Sequence, residues 1–102
     1  MSAVDFLPEA SGEAAAATAY YEEREPGLGA RFRKEIEAAC ASILDRPLLW
    51  RERSGGYRRV NLPGFPFYLA YFVRGERVIV AAVGHASRNP DYWKNRIAEM
   101  KS

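Results

Sequence analysis

The sequence predicts an α+β domain in the order β-α-α-β-β-β-α, an antiparallel sheet with a helical hairpin packed on one face. Three observations carry this reading. Two stretches before residue 46 place apolar residues at helical spacing and are parted by the break Pro26-Gly27. Two later runs are apolar on both faces and are parted by Arg74-Gly75-Glu76-Arg77. A short amphipathic stretch follows Pro90. The 102 residues form one domain, 1–102, large enough for a single modest core.

Taken in order, Val4 to Leu7 is short and mostly apolar, as a first strand would be. Pro8 suits the first turn of a helix, where its missing N–H costs nothing. Ala10, Ala14, Ala17 and Tyr21 continue that helix on one face, and its many alanines favour it. Glu9 and Glu13 complement the helix dipole near its start, while Gly12 weakens it slightly. The helix stops near Glu25. A second helix runs from about Leu28 to Leu44, with Leu28, Phe32, Ile36, Ala39 and Ile43 in one stripe. A short break between two helices implies an antiparallel hairpin.

Leu48 to Gly56 is a connection closed by Ser54-Gly55-Gly56. Tyr57 to Leu62 alternates as a half-exposed strand, and Pro63-Gly64 turns the chain. Phe67 to Val73 and Val78 to Val83 are apolar on both faces, so both belong in the middle of a sheet covered on both sides. Asp91 to Met100 forms a final helix, with Trp93, Ile97 and Met100 packing it back onto the sheet.

Composition narrows the chemistry. The chain is 48% hydrophobic and 27% charged, ordinary for a globular domain. No apolar run spans a bilayer, so no membrane segment is expected. The start, Met1-Ser2-Ala3-Val4-Asp5, has no basic segment and no leader-like apolar core. Cys40 is the one cysteine and shares a helix face with Ile36, Ile43 and Leu44, which suits a buried, inert thiol. A reducing cytoplasm fits these features. One His and one Cys at unrelated places give no zinc ligand set, and Pro26-Gly27-Leu28-Gly29 lacks the Lys and Ser/Thr of a phosphate loop. No cofactor or metal is expected. Ser87, His85 and Asp91 can be drawn as a triad, but no nucleophile elbow supports it.

The charge is uneven. Residues 1–45 hold four basic and nine acidic side chains, net −5, whereas residues 46–102 hold eleven basic and four acidic, net +7. Twelve of the fifteen basic residues are Arg, which pairs bidentately with carboxylate or phosphate. The second half is either built to meet an acidic partner or is a solvated face pairing with the acidic helices.

The apolar hairpin delivers His85 to one end of the sheet, just before Arg88, Tyr92 and Trp93. His85 is a general base or phosphate contact, or else a hydrogen-bonded side chain tying the strand end to the last helix. Arg88 and Arg96 flank Tyr92 and Trp93, an interleaving that can grip RNA or an acidic peptide, or simply pack the rings on the sheet. Arg58 and Arg59 point to opposite sheet faces, so at most one serves the same site.

The element order, the opening Pro8-Glu9-Ala10, the pair Tyr20-Tyr21, the Arg58 strand, Phe65-Pro66-Phe67-Tyr68-Leu69-Ala70-Tyr71 and the ending Gly84-His85-Ala86-Ser87-Arg88-Asn89-Pro90 together resemble the RelE/ParE toxin superfamily. These are the small toxins of bacterial type II toxin–antitoxin pairs, and the likeness covers nearly the whole chain. The resemblance implies a cognate antitoxin protein as partner and one of two activities. RelE-like members cut mRNA in the ribosomal A site, and ParE-like members poison DNA gyrase without nuclease chemistry. Against the RelE pattern, two catalytic arginines fall at Tyr68 and Ala86, while Tyr92 falls where the RelE tyrosine lies. Two charges that would stabilise the cleavage transition state are thus missing. If the chain is a nuclease, His85, Arg88 and Tyr92 are the catalytic candidates. The candidates for binding target or antitoxin are Arg58, Arg59, Arg88 and Arg96. The ending His-x-x-Arg-x-Pro followed by Trp is more similar to the ParE branch, which makes a gyrase poison the leading expectation.

Overall fold

The structure, a computed structural model, describes residues 4–101. Its elements are β1 (Val4–Phe6), α1 (Pro8–Arg24), α2 (Leu28–Asp45), β2 (Arg58–Asn61), β3 (Phe67–Arg74), β4 (Arg77–His85) and α3 (Asp91–Lys101). The strands form one sheet in the order β1-β4-β3-β2, so the two strands apolar on both faces are the central ones. β2, β3 and β4 make the expected antiparallel meander. β1 joins β4 in parallel, with Val4 opposite Val78 and Phe6 opposite Val80, so the sheet is mixed. Parallel pairing needs a long connection, and the helical hairpin helps to supply it. Arg77 pairs with Asp5 across that edge.

Alternation along β3 divides the core in two. Leu69 and Tyr71 face the helical hairpin, where Phe32, Ile36, Ala39 and Ile43 of α2 cover them together with Ala10 and Ala17 of α1. Tyr68, Ala70 and Phe72 face α3, where Trp93 and Ile97 cover them and Met100 packs alongside. Trp93 is fully buried and donates its indole N–H to the Tyr68 hydroxyl at 2.9 Å. That bond gives the polar atom of each of these two buried rings a partner. Gly84 makes room for it: a Cβ there would lie 2.5 Å from Tyr68 Cζ.

The hairpin turns at Gly27, whose φ of 90° favours glycine. No side chain at the start of α2 caps it locally. Instead Glu22, in the last turns of α1, accepts the backbone N–H groups of Gly27 and Gly29, both at 3.0 Å. A carboxylate reaching from the preceding helix thus serves the open N–H groups of the next one.

β4 carries one irregularity. Ala70 pairs with Ala82 but Tyr71 pairs with Val80, leaving Ala81 as an extra residue. Ala81 and Ala82 both pack into the core under α3. The bulge re-aims the last residues of β4. It also lies just past the end of β1, whose last rung is Leu7 N–H to Val80 C=O.

Candidate functional site

The end of β4 passes straight into a turn, and the turn fixes His85. Its Nδ1 accepts the Ser87 backbone N–H at 3.1 Å and lies 2.7 Å from Ser87 Oγ. An amide can only donate, so Nδ1 is the acceptor in this contact. The imidazole also meets the Phe67 ring edge-on, with centroids 5.0 Å apart. His85 is thus hydrogen-bonded, as one reading of the sequence expects, but to its own turn and not to α3. Ser87 and His85 do meet, whereas Asp91 lies at the start of α3 beside Lys94 at 3.8 Å.

His85, Ser87, Arg88 and Tyr92 line a cleft of about 470 Å³. Its floor is Ala16, Ala17, Phe67 and Val83, and Glu13 enters from α1. The Arg88 guanidinium stacks over the Tyr92 ring at 4.0 Å and is exposed. Burial, reinforced by Glu13 and Tyr68, outweighs Arg88 and Arg96 and holds the Tyr92 pKa above its ordinary value. Tyr92 therefore stays a neutral hydroxyl at neutral pH, able to donate a hydrogen bond but not to act as a base. A second cleft of about 430 Å³ adjoins the first through Ala17, Phe67 and His85, with Tyr20, Tyr21 and Pro66 completing it.

Arg96 lies behind the first cleft and is committed inside the protein. Its Nη1 and Nη2 reach Glu13 Oε1 and Oε2 at 3.2 and 3.0 Å, and Nη1 also donates to Ala81 C=O at 3.1 Å. Glu13 in turn accepts the Val83 N–H at 3.0 Å. Burial by itself lowers the Arg96 pKa, but the hydrogen bond and charge of Glu13 win and leave it raised. The two side chains are only 16% and 22% exposed, so this pair is screened far less than a surface ion pair.

The remaining candidates are dispersed. Arg58 faces the hairpin side and donates to Trp50 C=O at 2.6 Å. Arg59 faces the α3 side, stacked 3.9 Å over the Tyr68 ring and bonded to Asn61. The structure thus gathers His85, Arg88 and Tyr92 in one cleft, sets Arg96 behind it against Glu13, and keeps Arg58 and Arg59 on opposite faces. Cys40 is half-buried, and burial with a smaller push from Glu37 raises its pKa to about 11.

Sequence reasoning assigned Glu13 to the helix dipole and missed its place in the cleft wall. The signal was present. Ala10, Glu13 and Ala17 fall at helical spacing, and both alanines are buried, so Glu13 had to face the sheet. A carboxylate on a buried helix face needs a partner. Choosing Arg96 as that partner required the fold.

A family model described as the ParE toxin of the type II toxin–antitoxin system parDE matches residues 4–90. No curated protein matches the chain. Among solved structures, the fold is similar to a chain of the chromosomal ParDE TA system from P. aeruginosa, with a TM-score of 0.62 and 14% identity over 85% of this chain and 98% of that one. It is also similar to the isolated E. coli RelE toxin, with a TM-score of 0.63 and 20% identity over 98% of this chain and 99% of that one. At these identities the two structures establish a common fold. With residues 4–90 of the 102 matched by the family model, this protein belongs to the ParE toxin family of type II toxin–antitoxin systems.

Proposed function

We propose that the chain is a cytoplasmic toxin that acts by binding: it poisons DNA gyrase and is neutralised by a cognate antitoxin. One observation carries the choice of binding over cleavage. In the cleft where a scissile phosphate would sit, the groups needed for phosphoryl chemistry are already satisfied by the protein. Arg96 is held by Glu13, His85 Nδ1 accepts the Ser87 N–H, and burial holds the Tyr92 pKa above its ordinary value. Among the described residues lining the cleft, Arg88 is the one arginine or lysine. A cleft with a carboxylate in its wall, and with the nearby arginine already paired to that carboxylate, is a poor place to cleave an anionic backbone.

A second reading, a ribosome-dependent mRNA endonuclease, is favoured by the convergence of His85, Arg88 and Tyr92 on that one cleft. Purified toxin separates the two. The binding reading expects inhibited supercoiling or trapped gyrase–DNA cleavage complexes, with intact mRNA in a translating ribosome assay. A-site mRNA cleavage with normal gyrase activity would establish the second reading instead.

Neutralisation supplies an independent check. Induction of the toxin by itself arrests growth, and co-expression of the adjacent antitoxin gene restores it. The antitoxin docks by strand addition to a sheet edge and by an amphipathic helix along the hairpin groove of about 290 Å³ lined by Phe6, Ala14, Ile36 and Arg33. Titration calorimetry at rising salt shows a falling affinity, because the arginine-rich half meets acidic side chains. Normal growth with abundant folded toxin counts against an active toxin.

A further inference from the structure

We propose that the segment between α2 and β2 is a docking surface for an acidic, amphipathic segment of a protein partner, with Leu48 and Leu49 as its apolar anchors. Among the described residues the exposed large apolar side chains are Leu48 at 65%, Leu49 at 61% and Tyr20 at 49%. Tyr20 is partly covered by the Arg24 guanidinium stacked 4.4 Å from its ring. The two leucines are neighbours, and among the described residues the other large aliphatic side chains are wholly or partly buried. Paired exposed leucines of this kind mark an interaction site more often than a solitary one does.

The leucines are held out, not left loose. Leu49 N–H donates to Arg46 C=O at 3.1 Å and closes a turn. The Tyr71 hydroxyl donates to Pro47 C=O at 2.6 Å, and Arg58 donates to Trp50 C=O at 2.6 Å. Tyr71 is fully buried in the central strand β3, so these tethers are rooted in the core. Trp50 meets the Tyr71 ring edge-on and turns inward, which leaves Leu48 and Leu49 facing water. A loop fixed in this way loses little further entropy when a partner covers it.

Charge selects the partner. Arg46 and Arg51 flank the leucines and are exposed, and Arg53 follows half-exposed. Glu52 is the one acid between residues 46 and 58. Arg46 lies 3.8 Å from Asp45, but with side chains 71% and 79% exposed this contact leaves the positive field largely intact. Aliphatic anchors ringed by arginine fit an acidic amphipathic helix. They offer no ring for a nucleobase to stack on, and two leucines bury too little area to hold a membrane surface.

The test uses the full chain, with Leu48→Ser/Leu49→Ser as one variant and Arg51→Glu as another. The probes, purified gyrase and purified antitoxin, are chosen on the toxin reading above. Both variants melt like the wild type, because the altered side chains are exposed. The double variant binds one of the two probes about tenfold or more weakly. Arg51→Glu weakens the same complex by a smaller factor that vanishes at high salt. Wild-type affinity of the double variant for both probes, with undiminished growth arrest, overturns the proposal. So does wild-type binding to RNA or to anionic vesicles that the double variant loses. If gyrase binds neither form, the gyrase reading fails by itself. Growth arrest then decides: its loss in a double variant that melts normally upholds the surface, and its retention overturns it.

Discussion

The carboxylate of Glu13 and the guanidinium of Arg96 meet two-pronged at 3.2 and 3.0 Å, and between them they close the edge of β4 that β1 leaves open. Arg96 donates to Ala81 C=O and Glu13 accepts Val83 N–H, the contacts a longer β1 would have made. An ion pair from two helices thus substitutes for a missing strand at the bulge. It also fixes the wall of the cleft that holds His85, Arg88 and Tyr92.

Arg96→Ala is therefore expected to lower stability by about 2 kcal/mol, since it strands a partly buried carboxylate and a strand carbonyl. Glu13→Gln costs less, because an amide still accepts the Val83 N–H. A double-mutant cycle in urea denaturation yields a coupling on the order of 1 kcal/mol or more. Additive single effects would mean that the two side chains act independently.

His85→Ala removes the acceptor of Ser87 N–H and the edge contact with Phe67. The expected cost is about 1 kcal/mol of stability, with growth arrest retained. Loss of a proton-transferring group would instead lower a cleavage rate by roughly 10²–10⁴-fold with the fold intact. Melting temperature and growth arrest measured together on this variant distinguish the two. A folded, antitoxin-binding His85→Ala protein that is wholly inert, beside a wild type that cleaves mRNA, refutes the binding mechanism.

Two glycine replacements are expected to act in opposite directions. Gly84→Ala drives a Cβ to within 2.5 Å of Tyr68 Cζ and threatens the buried Trp93–Tyr68 hydrogen bond. It should cost about 3 kcal/mol and redshift Trp fluorescence as the indole loosens. Gly12 lies on an exposed face of α1, where an added methyl group would meet nothing within 4 Å. Gly12→Ala should stabilise by about 0.5–1 kcal/mol through helix propensity. A neutral Gly84→Ala would show that the second core is looser than its packing indicates.

Cys40 makes stability depend on alkaline pH. Its folded pKa of about 11 lies above the reference value of 9.0, so the fold prefers the protonated thiol. The preference is fully present below pH 9 and is lost progressively as pH rises from 9 toward 11 and beyond. Solvent reaches part of this half-buried thiol and screens the effect. Across that window the wild type should therefore lose on the order of 1 kcal/mol more than Cys40→Ala. Parallel stability curves for the two proteins would rule out a buried thiol of this kind. Slow alkylation of the native protein at pH 8, against fast alkylation in urea, is the accompanying expectation.

Local chemistry determined most of the elements. Pro8, Pro26-Gly27 and Pro90 set helix boundaries through backbone geometry, and the period of Phe32, Ile36 and Ile43 declared the buried face of α2. Runs apolar on both faces placed β3 and β4 at the centre, because nothing but a doubly covered strand tolerates them. These properties act between near neighbours, so the sequence displays them directly. The parallel seating of β1, the bulge at Ala81 and the pairing of Glu13 with Arg96, 83 positions away, depend on which surfaces meet after the chain folds back. The same holds for His85, whose Nδ1 is engaged because Ser87 N–H comes to point at it. Motif spacing names the residues that reach a site. Whether their charges and lone pairs remain free there is decided by long-range contacts, which carry no local period in the sequence.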